Sequence, residues 1–136
     1  MKKIMFVILI IASLLMISCD NSAENIEGNG TEGKVLMISP EEAKESLDEN
    51  SEIILLDVRT PSEYESGHIE GAVLLPLDNI TEEASEVIPD NEKIYYVYCR
   101  SGNRSATAEQ LLVDMGYKNI YDLGGIIDWP YDTVTE

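Results

Sequence analysis

The sequence predicts an α/β domain built on a mostly parallel sheet with helices on both faces. Three observations predict it. Ile53-Ile54-Leu55-Leu56 and Ile94-Tyr95-Tyr96-Val97-Tyr98 are unbroken apolar or aromatic runs, as strands covered on both faces require. Ser39-Pro40-Glu41-Glu42 and Thr60-Pro61-Ser62-Glu63 each place Ser or Thr at the N-cap, Pro at N1 and Glu at N3, which is a capping box. Strand-like and helix-like segments alternate along the chain, the order that gives parallel strands with crossover helices.

Taken in order, Val35 to Ile38 reads as a short strand, and the first capping box opens a helix to about Glu49. The run from Ile53 ends at Asp57, and the second box opens a short helix towards Ser66. Ala72 to Leu75 reads as a strand and Thr81 to Ile88 as a helix. The aromatic strand from Ile94 leads directly into Cys99. A helix follows, with Ala108, Leu111, Leu112 and Met115 spaced as one apolar face and Gly116 just past its end. Asn119 to Leu123 supplies the last strand. In such a sheet, ligands bind at the carboxyl ends of the strands, where Cys99 stands.

The first 33 residues do not fit this pattern. Met1-Lys2-Lys3 precedes an apolar run from Ile4 to Ile17, broken only by Ser13. A membrane-spanning helix needs about 20 apolar residues, so this run is read as a secretory signal, residues 1–18. It ends Leu15-Met16-Ile17-Ser18-Cys19-Asp20, which resembles the lipobox of bacterial lipoproteins, with Met16 where Leu is commoner. That resemblance implies a lipid on Cys19 and an extracytoplasmic protein anchored to a bacterial membrane. Residues 19–33 read as a polar, acidic tether, and the domain as 34–136.

The formal charge is −17, and removing residues 1–18, with two Lys and no acid, leaves −19. A chain so acidic does not bind nucleic acid through its general field. The domain from residue 34 holds seven Lys and Arg, and two of them, Arg100 and Arg104, flank Cys99. With Cys19 acylated, Cys99 has no disulfide partner, and an unpaired thiol in an exported protein signals reactivity.

The segment Cys99-Arg100-Ser101-Gly102-Asn103-Arg104-Ser105 places a Cys between a buried strand and a helix start. Loop amides converging on the sulfur, together with the positive end of the helix, favour the nucleophilic thiolate. An Arg in a first helical turn opposes the helix dipole, so Arg104 is expected to face a bound anion.

Four motifs, in order, carry a family resemblance. They are Leu55 to Tyr64 (LLDVRTPSEY), Gly67 to Ala72 (GHIEGA), Cys99 to Ser105 (CRSGNRS), and Leu123-Gly124-Gly125-Ile126 with Trp129. Together they resemble the rhodanese homology domain over about residues 35–130. The resemblance implies a five-stranded, mainly parallel sheet flanked by helices. It implies that Cys99 takes a sulfane sulfur from a donor such as thiosulfate, holds it as a persulfide and passes it to a thiol or cyanide. Residues 99–104 would form the binding loop, with Asp57, Arg59 and Ser105 as its support. No metal or organic cofactor is implied.

Other motif residues read as structural. The only His, His68, is expected to be a hydrogen-bonded turn residue, Gly71, Gly124 and Gly125 to serve tight turns or close backbone approach, and Trp129 to anchor packing. Three other functions share features of the sequence. Phosphatases of the related fold place Arg six positions after the Cys, whereas Arg104 is five after Cys99. A non-catalytic binding module would not need the Cys. A sulfur carrier would use the same persulfide, and the sequence does not separate it from an enzyme. It gives no oligomeric state either.

Overall fold

A computed structural model describes residues 33–136. The apolar run, Cys19 and tether residues 19–32 lie outside the described residues. The sheet has five strands, β1 (Lys34–Met37), β2 (Ile54–Asp57), β3 (Val73–Leu74), β4 (Ile94–Cys99) and β5 (Asn119–Gly125), in the order β1-β5-β4-β2-β3. Every pairing is parallel. Four α-helices connect them: α1 (Pro40–Glu49), α2 (Pro61–Ser66), α3 (Ile80–Val87) and α4 (Asn103–Asp114). Short 3-10 turns occupy Leu77–Asn79 and Ile126–Asp128.

Alternation along the central strands divides the core in two. Leu56, Tyr95, Val97, Cys99 and Ile120 face α3 and α4, where they meet Ile80, Ala84, Ala108 and Leu112. Leu55, Tyr96, Tyr98 and Leu123 face the other side and pack with Ala43, Ile69 and Trp129. Burying each of the larger side chains contributes about 1.5–3 kcal/mol relative to leaving it exposed. Both capping boxes form as expected, Ser39 with Glu42 and Thr60 with Glu63.

Two expectations need correction. The buried residues of α4 are Ser105, Ala108, Glu109 and Leu112, while Met115 is exposed. The helix is rotated so that Ser105 meets the loop after β4, which carries Glu109, one turn further on, into the interior. The third strand is also shorter than Ala72 to Leu75, because β3 pairs only through Val73 and Leu74 at the sheet edge.

Between β4 and β5 the register shifts: Val97 lies opposite Asp122, but Tyr98 lies opposite Gly124 and Cys99 opposite Gly125. The extra residue, Leu123, makes a bulge that re-aims the strand end. The bulge brings the two glycines beneath the segment that follows Cys99.

Candidate active site

Cys99 is the last residue of the central strand β4 and is only 1% exposed. The chain then turns through Arg100, Ser101 and Gly102 into α4. Gly102 adopts φ 98°, a left-handed conformation that suits glycine. This turn points the Gly102 N–H at the sulfur, with N 3.0 Å from Cys99 Sγ. Ser105 Oγ lies 3.7 Å from the same sulfur and donates to the carbonyl of Gly102 at 2.9 Å, which closes the loop on itself.

Burial pushes the Cys99 thiol up. Hydrogen bonding with the amide and hydroxyl of Ser105 and with the amides of Gly102 and Ser101 outweighs that and leaves the thiol below its ordinary value. The Gly102 N–H thus faces the buried sulfur, and a backbone N–H so placed favours the anionic form.

Arg104 stands in the first turn of α4. It forks onto Glu63 of α2, Nη1 to Oε2 and Nη2 to Oε1, both at 2.7 Å. The Glu63 carboxylate offsets the charge of an Arg in the first turn of α4. Glu63 also accepts the Thr60 N–H at 3.0 Å within its capping box. The Arg104 hydrogen bond, against some burial and with help from Thr60, holds Glu63 down to about 2. Arg100 and Asn103 are exposed, and Arg100 lines a cleft of about 550 Å³ with Arg59, Glu63, Gly67, Ile126 and Ile127.

Asp57 and Arg59, expected to support the loop, are bound to each other. Arg59 Nη2 reaches Asp57 Oδ2 at 2.7 Å, and both residues are buried. A buried ion pair needs its remaining positions filled. Tyr98 donates to Asp57 Oδ2 at 2.7 Å, and Arg59 Nη2 donates to the carbonyl of Gly67 at 2.8 Å. These bonds fix Tyr98, the residue before Cys99, so any support for the loop passes through the strand. A carboxylate aimed at the sulfur would oppose the thiolate, and this arrangement keeps Asp57 occupied.

His68 is buried, with Nδ1 2.8 Å from the carbonyl of Tyr64 and its ring stacked on Tyr64 at 3.7 Å. Its backbone pairs with Val134. Trp129 is buried in the core on the α1 side. Among the described residues, no group of three or more His, Cys, Asp or Glu is placed to hold a metal ion. Sequence reasoning did not find Glu63, Tyr98 and Glu109. Glu63 was legible only as a cap residue, and Tyr98 only as strand composition.

The Rhodanese-like domain family matches residues 39–130. The chain belongs to the rhodanese-like family. Its rhodanese domain is 36% identical over 73 residues to the thiosulfate sulfurtransferase PspE of Escherichia coli, covering 54% of this chain and 70% of that protein. It is 38% identical over 93 residues to a sulfurtransferase of Allochromatium vinosum, covering 68% of this chain and 85% of that protein. Among solved structures it is similar to a rhodanese with anions from E. coli, at 32% identity and a TM-score of 0.58, covering 62% of this chain and 99% of that one. The rhodanese fold and a general kinship with sulfurtransferases are thereby established.

Proposed function

We propose that this rhodanese domain moves sulfane sulfur through a persulfide on Cys99. The donor is a small anion such as thiosulfate, and the acceptor is a thiol or cyanide. The observation that carries this reading is a buried sulfur facing the Gly102 amide at 3.0 Å, at the end of a central strand.

In the first half-reaction, the Cys99 thiolate attacks the outer sulfur of thiosulfate. A new S–S bond forms, the old one breaks, and sulfite leaves with the electron pair. In the second, an acceptor thiolate attacks the outer sulfur of the persulfide and regenerates the Cys99 thiolate. The loop amides stabilise sulfur anions at both ends of the cycle. Incubation with thiosulfate is expected to add the mass of one sulfur atom to the intact protein, and a later thiol to remove it. No mass gain with thiosulfate would refute this reading.

The phosphatase alternative is disfavoured by two features. The loop is one residue shorter than a phosphatase loop. Arg104, which would have to fork onto phosphate oxygens, is already forked onto Glu63. Phosphoryl transfer needs donors around all three equatorial oxygens. Hydrolysis of a phosphotyrosine analogue should therefore stay at background while sulfur uptake proceeds.

For location, the reading is a lipid on Cys19 that holds the domain at the outer face of a bacterial membrane. One acyl chain binds only marginally and several bind stably. Cys19→Ala is expected to shift the protein from the membrane fraction to an uncleaved precursor or a released form. Unchanged membrane association and processing would count against the lipid.

A further inference from the structure

We propose that Glu109 is a positioning residue for the Cys99 loop, acting as a neutral carboxylic acid beside Asp122. Glu109 lies on α4 one turn after Ser105, so both project from the same side of the helix. It is 2% exposed, and its Oε1 atom has no hydrogen-bond partner within the described structure. A buried carboxylate in that position would be costly, whereas a carboxylic acid is not.

Its neighbour is Asp122 of β5, close enough for its charge and side chain to act on Glu109. Asp122 Oδ1 in turn accepts the Gly124 N–H at 2.7 Å. The Gly124 carbonyl faces Ser105 Oγ at 3.4 Å, and Ser105 faces the sulfur. Asp122, Gly124 and Ser105 thus link the surroundings of Glu109 to Cys99. Burial first, then the charge and hydrogen bond of Asp122, and then the charge of Cys99 push Glu109 up to about 8.

Among the described residues, no cation offsets these charges at Glu109. β5 contributes Asp122, and β4 contributes Cys99. Lys34, the one charged residue of β1, lies opposite Asn119, at the far end of the strand from Met37, the partner of Asp122. On the side of α3 and the 3-10 turn before it, Asp78, Glu82 and Glu86 are exposed, and Glu83 accepts from Asn79. On α4 itself, Arg104 is committed to Glu63. The proton on Glu109 is therefore what keeps two carboxyl groups and a thiolate compatible. When it leaves, Asp122 is repelled, its hold on Gly124 weakens, and the loop loses its support.

The test is an NMR titration of the full-length chain with 13C-labelled Glu carboxyl groups and 15N-labelled amides. Glu109 is expected to titrate near pH 8, far above an ordinary carboxylate. Cys99→Ser removes the thiolate and should lower that midpoint. The Gly102 and Gly124 amides should move with the same midpoint in wild type and stay still in Glu109→Gln, a neutral donor of the same shape. The alkylation rate of Cys99 by iodoacetamide in Glu109→Gln, divided by that of wild type, should rise severalfold from pH 7 to pH 9. A Glu109 carboxyl that titrates in the ordinary range would overturn the proposal, even if Glu109→Gln did not fold. Identical amide titrations in both proteins would overturn it too. Alkylation needs only a reactive Cys99 thiolate, so failure of thiosulfate to label the protein would leave this result standing.

Discussion

Cys99→Ser is expected to abolish sulfur uptake from thiosulfate, by about 10³-fold or more, and to leave the fold in place. The substitution exchanges one atom for a slightly smaller one at a site that is 1% exposed. The Gly102 N–H, 3.0 Å from the sulfur, can donate to a hydroxyl oxygen as it does to the sulfur. Packing should change little, and a thermal midpoint within a few degrees of wild type would show it. The chemistry changes far more. The environment of Cys99 lowers its thiol towards ionisation, whereas a serine hydroxyl is not appreciably ionised near neutral pH. A factor of 10³ corresponds to about 4 kcal/mol of barrier, within what loss of a nucleophile removes. Intact mass after thiosulfate treatment decides the matter. Equal sulfur gain in both proteins would place the chemistry on another residue.

The elements that were legible in the sequence are those set by local physics. Ser39 and Thr60 began their helices where the capping boxes placed them, because a cap is satisfied within four residues. The run from Ile94 to Tyr98 became the central strand and was extended by one residue to Cys99. The convergence of amides on the sulfur could be read from a Cys followed by a Gly-containing turn and a helix.

The misreadings lie where distant segments meet. The Glu63–Arg104 and Tyr98–Asp57 bonds each span 41 residues, so neither partner announces the other locally. Arg104 looked like an unsatisfied charge because its carboxylate belongs to a different helix. The apolar spacing of Leu111 and Met115 suggested another rotation of α4, one that says nothing of Glu109. The contact of Ser105 with the Gly102 and Gly124 carbonyls fixes the rotation instead, and this depends on where β5 ends. The expected close approach at Gly125 was legible as a kind of contact, but its partner was not.

That partner is the backbone of the Cys99 loop, and Gly125→Ala is expected to damage both stability and chemistry. A Cβ at Gly125 would stand 2.4 Å from the Arg100 carbonyl oxygen and 2.7 Å from the Ser101 Cα. Both are backbone atoms, so no side chain can swing aside. Gly125 has φ −120° and ψ 141°, which alanine adopts without strain, so the clash alone carries the effect. Relief requires β5 and the loop to part. That would strain the Ile127 N–H bond to the Arg100 carbonyl, now 3.3 Å, and move the Gly102 amide from the sulfur. Overpacking of this kind costs about 1–3 kcal/mol. Sulfur uptake should fall at least about tenfold, since displaced donors no longer favour the thiolate. Gly71→Ala separates the two possible causes. Gly71 has φ 81° and open space where its Cβ would go, so alanine there meets backbone strain of about 1–2 kcal/mol and no clash. Gly71→Ala should lower the thermal midpoint and leave sulfur uptake near wild type, whereas Gly125→Ala should lower both. Equal losses of uptake in the two variants would mean that general destabilisation, and not the seat of the loop on Gly125, controls the reactivity of Cys99.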